Sequence, residues 1–486
     1  MRTALGFTAF VTALLYSATA AAQSTSWHGT LNGDVAVTDN VYARPGYSLT
    51  NRDGDLFFQL RPGFFVSRNA PRAINTFLAE AEIIHYAFNS KYPSVSGRVG
   101  WNGFYLTGPR SEVITGINAS TGILTALQSR LTSDETQINV NPVGKVTFQQ
   151  ADASEYFSYT LTREMRFSQT LFGRYNRTND NAEDFEPPMD NTITDSAEIG
   201  LAMALERSFE MSTISIEAGA SVSRLERKAP VTALMGSRLD RQISPRLRAQ
   251  YRRDLDRRLS LGADGGVVYV KPFPCDPPEW MFGCDPYNPG EVRRSGFFPI
   301  VGAQFSITDV WGRGTLAVRR DVTPNLQIAQ NTVNDSVTVA AAVPLPWLDD
   351  TRRRAPKLIG LASLGVVRTR LIDSVTSDTT SSIDAARIDV AVMYAPRPGV
   401  TYTARYEGQF QRGDEEAALA VPGFYRNTIY FSFAVRYPND VAGIVPKRRA
   451  GSSNRADRAD QSPIGAEPVV PDLVEEGGDD SGGDQR

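Results

Sequence analysis

The stretch YFSYTLTREMRFSQTLFGRYNRT, Tyr156 to Thr178, decides the fold. Phe157, Tyr159 and Leu161 alternate with Ser158, Thr160 and Thr162, the pattern pauses at Arg163-Glu164, and it resumes through Phe167, Leu171 and Tyr175. A period of two puts successive side chains on opposite faces of an extended chain. Two strands of about ten residues joined by a tight turn exceed the roughly five to six residues usual in soluble sheets, and they match the hairpins of membrane-spanning barrels.

The same alternation recurs downstream. Ile388, Val390, Val392 and Tyr394 share one face against Arg387, Asp389, Ala391 and Met393. Tyr402, Ala404, Tyr406 and Phe410 stand opposite Thr401, Thr403, Arg405, Glu407 and Gln409, and Ile429, Phe431, Phe433, Val435 and Tyr437 opposite Thr428, Tyr430, Ser432, Ala434 and Arg436. Further hairpins join Ile199–Leu205 to Ile214–Val222, Leu247–Tyr251 to Leu259–Tyr269, Phe297–Ile307 to Thr315–Arg320, and Val337–Val343 to Leu358–Leu371. Short joints such as 162–164, 254–256, 311–313 and 396–399 alternate with long polar ones at 179–195, 272–294, 373–382 and 412–423, while the joint 344–356 is longer than its short counterparts.

Short turns alternating with long loops predict an all-β, antiparallel, up-and-down transmembrane β-barrel in a bacterial outer membrane. Backbone amides in hydrocarbon must be paired, and only a closed sheet pairs them without leaving an edge. A slightly negative mean hydropathy agrees, because only one face of each strand touches lipid. A soluble sandwich, propeller or solenoid would scatter charge over both faces, whereas the apolar faces here are nearly free of it. Upstream candidates lie at 28–41, 56–67, 77–89, 95–106, 113–124 and 140–149. Merging 146–162 into one strand, with 129–144 as an outer loop, brings the total to about eighteen, with sixteen the next even count.

Residues 1–22 read as a secretory signal: Arg2, an apolar run from Ala4 to Tyr16, and Ala20-Ala21-Ala22 before Gln23. No later window reaches the roughly 18 to 20 apolar residues of a membrane-spanning helix, and no Cys follows the cleavage site to take a lipid. The barrel is then expected over 23–438. Residues 439–486, with KRRAGSSNRADRADQ and EEGGDDSGGDQR, hold too few apolar side chains to fold alone and are expected to lie disordered in the periplasm. A net charge of -3 argues against a nucleic-acid partner. The two cysteines, Cys275 and Cys284 in PCDPPEWMFGCDP, are expected to close a small loop disulfide in an oxidising compartment, with two unpaired thiols as the alternative.

Catalytic options are thin. The only histidines are His28, near a strand start, and His85, expected to face the lumen or the interface. Asp180, Asp184 and Asp190 in NDNAEDFEPPMDN lack the spacing of a calcium loop and read as solvated. No cofactor or metal motif appears. The candidate site is the polar face itself, with Arg248, Arg252, Asp264, Arg387, Asp389, Arg405, Glu407 and Arg436 as expected pore-lining residues. Arg387/Asp389 and Arg405/Glu407 fall on neighbouring strands, so opposite charges are expected to meet across the sheet.

The repeated unit of strand, L-T-x-x or L-D-x-R turn, strand, as in SYTLTREMRFSQ and QYRRDLDRRLSLGADGG, combines with VAVTDNVYARP and the final FSFAVRYP. Together they resemble the outer-membrane β-barrels found with bacterial exopolysaccharide systems, over most of 27–438. The resemblance implies an outer-membrane port for polysaccharide, working beside a periplasmic polysaccharide-export protein, and it transfers no catalytic residue. A general porin for small polar solutes, a structural or adhesive surface barrel and a membrane hydrolase are the other readings. The segment before the first strand is too short for the plug of a TonB-dependent transporter.

Overall fold

In the computed structural model the described residues are 24–40, 54–88, 94–124, 146–180, 193–228, 237–273, 294–326, 328–345, 358–372, 379–397, 399–414 and 423–437. They form an 18-stranded antiparallel sheet. In chain order its strands are β1 (Ser24–Thr38), β2 (Asp55–Ala70), β3 (Ala73–Tyr86), β4 (Ser94–Leu106), β5 (Ser111–Leu124), β6 (Val146–Thr160), β7 (Met165–Asp180), β8 (Ile193–Ser208) and β9 (Ser212–Lys228). They continue with β10 (Arg238–Asp254), β11 (Leu259–Pro272), β12 (Gly296–Asp309), β13 (Gly312–Asn325), β14 (Gln330–Pro344), β15 (Leu358–Ile372), β16 (Thr379–Arg397), β17 (Val400–Gly413) and β18 (Phe424–Tyr437). Each strand pairs with its sequence neighbours. The ring is sealed where β1 pairs with β18, from Gly29↔Tyr437 to Thr38↔Thr428, while its other edge pairs with β2.

The repeated turns at one end have a common cause. In Leu161-Thr162-Arg163-Glu164, the Thr162 hydroxyl accepts from the amides of Glu164 (3.3 Å) and Met165 (3.0 Å). In Leu255-Asp256-Arg257-Arg258, the Asp256 carboxylate does the same for Arg258 (2.6 Å) and Leu259 (2.7 Å). A short oxygen-bearing side chain at the second position thus caps amides that the ladder cannot reach. Gly312, at φ 141°, closes another turn, and a Cβ there would stand 2.3 Å from the Ala342 carbonyl.

Exposed apolar side chains occupy alternate positions around the ring, among them Val35, Leu60, Val99, Leu171, Ile216, Leu247, Leu261, Val301, Val318, Val339, Val366 and Val390. Toward the short-turn end this aliphatic band meets exposed Trp27, Tyr159, Phe209, Tyr251, Trp311, Tyr402 and Tyr437. Toward the long-loop end it meets Phe58, Phe88, Phe297 and Tyr406, with Tyr269 and Phe297 stacked at 4.4 Å. Aromatic girdles bracketing an aliphatic band are what the two interfaces of a bilayer select.

Several expectations need correction. The strands run from 13 to 19 residues rather than about ten. Their ends absorb parts of the expected loops: β7 reaches Asp180, β16 begins at Thr379 and β17 reaches Gly413. Beyond the bilayer both faces of a strand can be polar, so pairing continues where alternation stops. The outward face is also not free of charge, for Arg320, Asp335, Arg368, Arg370 and Asp384 share the face of Val318, Val337, Val366 and Ile388 by register, all toward the long-loop end. His28 is buried inside β1 rather than at a fraying start, with its ring centroid 6.1 Å from that of Phe65. The expected export signal over 1–22 and tail over 439–486, together with Cys275, Cys284, Asp184 and Asp190, lie outside the described residues.

Candidate functional site

The face opposite the exposed apolar one is the inner face of the ring. By alternation it carries all eight residues singled out in the sequence, but they do not form one constellation. Arg248 on β10 and Asp264 on β11 make a two-pronged pair, with Nε to Oδ2 at 3.0 Å and Nη2 to Oδ1 at 2.8 Å. Arg387, Asp389, Arg405 and Glu407 form a second network on β16 and β17. Its logic differs from the expected one. Register sets Asp389 directly opposite Glu407, like charge against like charge. Arg405 reaches diagonally across to Asp389 and along its own strand to Glu407 at 2.9 Å, and Arg387 adds a contact to Glu407 at 3.4 Å. Arg252, 3.6 Å from Asp254, and Arg436, exposed near the end of β18, stand apart from both networks.

Other inner-face pairs went unremarked in the sequence. Arg61 contacts Asp34 at 3.3 Å, Ser96 donates to Glu82 at 3.2 Å, and Arg174 contacts Glu198 at 3.0 Å. Arg166 and Ser158 both donate to Glu112. Most carboxylates and guanidiniums of this wall are thus paired, as buried charge requires. Nor is the wall uniformly polar. Across the seam, Ala36, Phe57, Ile84, Tyr86 and Tyr430 form a buried inner cluster, with the Phe57 ring 5.9 Å from Tyr86 and 6.0 Å from Tyr430.

The inner face is dominated by an element that the periodicity did not reveal. β12 pairs with β13 only as far as Val301↔Arg320, although β11 and β12 stay paired to Val270↔Gly296. Beyond Arg320 the β13–β14 hairpin parts from β12 and bends inward, while β14 stays paired with β15 as far as Thr332↔Leu371. Val322 and Val333, partners across the hairpin, pack against Val268, Val270 and Ile300 on the inner face of β11 and β12. Asp321 approaches Arg246 of β10 at 3.9 Å and accepts from Arg319 at 2.8 Å.

The tip goes further. Gln242 on β10 exchanges amide hydrogen bonds with Asn331, 2.6 Å in one direction. Leu326 and Ala329 pack on Leu225 of β9, and Asn176 of β7 donates to the Leu326 carbonyl at 3.2 Å. From β13 to β7 the wall turns through six strand spacings, on the order of 30 Å around the ring. The hairpin crosses that arc as a chord. Ala329 takes φ 52°, a left-handed conformation that a side chain adopts only where its surroundings impose it.

His28 and His85 are not brought together. His28 is on the inner face, and His85 is exposed on the outward face beside Ile83, at the long-loop end of β3.

A closed antiparallel sheet with an even strand number, an aliphatic outer band and aromatic borders has one compartment that suits it. The chain is an outer-membrane β-barrel. No protein-family model matches the sequence of this barrel, and no curated protein matches it. Among solved structures it is similar to OccAB3 of Acinetobacter baumannii, at 8% identity over 85% of this chain and 100% of that one, with a TM-score of 0.43. It is similar also to OccK9 (OpdG) of Pseudomonas aeruginosa, at 10% identity over 85% and 98% of the two chains, with a TM-score of 0.42. The ferric-catecholate import receptor Fiu of E. coli K12 aligns at 8% identity over 84% and 82%, with a TM-score of 0.42. Identities this low describe architecture alone.

Proposed function

We propose that the barrel is a channel for small polar solutes whose bore is set by the inward β13–β14 hairpin. One observation carries this reading: the hairpin tip is held on the inner face by β7, β9 and β10 rather than standing above the rim. In this reading Arg248, Arg252, Asp264, Arg387, Asp389, Arg405, Glu407 and Arg436 line the path. Because most of these charges are neutralised by a neighbour, the channel discriminates by size and hydrogen bonding more than by net charge. Residues 1–22 serve as the export signal, and 439–486 lie in the periplasm.

Recording in planar bilayers tests the proposal. Purified barrel is expected to give discrete, small openings, and replacing residues 326–329 by Asn-Gly, which turns a two-residue hairpin tightly, is expected to enlarge them. Silence in both proteins, or equal conductance, overturns it. The sequence's first reading, a polysaccharide port beside a periplasmic export protein, needs a bore wide enough for a hydrated polymer, which the chord-like hairpin opposes. Loss of surface polysaccharide with intracellular accumulation, on deletion of the gene, would restore that reading.

A further inference from the structure

Charge on a lipid-facing wall is costly at depth, yet the outward face from β13 to β17 carries an unbroken row of it. Arg320 is the register partner of Asp335, Asp335 of Arg368, Arg368 of Asp384, and Asp384 of Arg412. The row is bonded as well as aligned. Arg320 donates through Nε and Nη2 to Asp335, the latter at 3.0 Å, and Arg368 donates likewise to Asp384, at 2.7 and 3.0 Å. Arg370, two residues along β15, reaches Asp335 at 2.6 Å. Asp414, just past β17, accepts from the Ser382 amide. Among the described residues, four guanidiniums, those of Arg320, Arg368, Arg370 and Arg412, therefore face three carboxylates, Asp335, Asp384 and Asp414, and this set carries net positive charge.

Its depth is specific. The row stands two residues beyond Val318, Val337 and Val366, about 7 Å further along each strand. It lies toward the long loops, which in such barrels face outward. On β12 its neighbour is Val301 of the aliphatic band, and on β16 and β17 it stands six residues beyond Val390 and Tyr406, so the row climbs from the outer edge of the acyl region into the headgroup level of the outer leaflet. Stability does not explain it, since these strands are already joined by backbone bonds and solvent-exposed ion pairs contribute little. A carboxylate occupies one edge of the guanidinium fork, and the remaining N–H groups stay available for a further oxyanion such as phosphate. The Arg368 side chain is 60% exposed and that of Arg320 37%.

We propose that this row is a docking surface for the phosphate groups of an outer-leaflet lipid, whose acyl chains lie along the valines below. The proposal rests on the barrel's place in the outer membrane and is independent of what crosses the lumen. Binding to delipidated full-length protein in neutral detergent tests it, by native mass spectrometry with three probes: an acylated disaccharide bisphosphate, the same lipid without phosphates, and inorganic phosphate. The bisphosphate lipid is expected to stay bound, the phosphate-free lipid to bind about tenfold or more weakly, and inorganic phosphate at equal concentration to leave the lipid in place.

R368Q/R370Q is expected to lose the lipid by a similar factor, while R253Q, at an exposed arginine near the other end of β10, is expected to keep it. D335N/D384N separates docking from bracing. It removes the ion pairs but raises the net positive charge, so docking predicts unchanged or tighter binding and bracing predicts loss. Equal binding of the phosphate-free lipid, full binding by R368Q/R370Q, loss of binding in D335N/D384N, or displacement by inorganic phosphate overturns the proposal. Should R368Q/R370Q fail to fold, D335N/D384N together with R368K/R370K, expected to retain the lipid, decides it.

Discussion

Arg405 stands between two carboxylates that the ladder sets face to face. Without it, Asp389 and Glu407 remain opposite one another on an inner wall where their side chains are mostly buried. R405Q is therefore expected to lower stability by about 1–3 kcal/mol, less than the 3–5 of a fully dry broken pair because the lumen admits water. Urea titration in lipid vesicles measures this. The same variant leaves net negative charge on the wall, so its openings are expected to shift toward cation selectivity in reversal potentials under a salt gradient; unchanged potentials would remove this network from the solute path. Gly312→Ala meets the Ala342 carbonyl and an unfavourable φ, and is expected to cost about 1–3 kcal/mol in the same titration. Which charges share a face was legible in the sequence, since alternation alone decides it. Which charges oppose one another was not, because one residue of register separates an attractive neighbour from a repulsive one.

The β13–β14 hairpin is the element on which function turns, and it was the least visible. In the segment from Asp321 to Ser336 the apolar residues Val322, Leu326, Ile328 and Val333 are neither strictly alternating nor framed by a tight-turn signal. The reason is physical: both faces of this hairpin are covered, one by the inner wall of β11 and β12 and the tip by β9. The usable clue was the pair of aliphatic side chains, Leu326 and Ile328, where an outer loop should be polar. Leu225, fully buried against this tip, is its anchor. L225D places a carboxylate in an apolar contact with no partner, which is expected to release the tip and raise single-channel conductance. L225I, which keeps the volume, is expected to leave conductance near that of the parent barrel. Equal conductance in all three proteins would mean that the tip does not limit flow.

For the whole molecule, the strand count and the outer face were readable because hydrocarbon penalises every exception; strand lengths were not, because the penalty ends at the headgroups. The penalty offers a depth gauge. Leu247→Arg, in the aliphatic band, is expected to cost about 2–4 kcal/mol, and Phe297→Arg, at the aromatic border, about 0–1. A flat profile across such a series in vesicle refolding would displace the bilayer from the band described here. A second consequence concerns the making of the molecule. Gly29, among the first barrel residues to leave the ribosome, finds its counterpart in Tyr437, at the end of the last strand. The cylinder therefore cannot be completed in installments: until β18 arrives, β1 and whichever strand was added last are two sticky selvages of one cloth. Any escort that carries the chain across the periplasm has to keep both from finding a stranger.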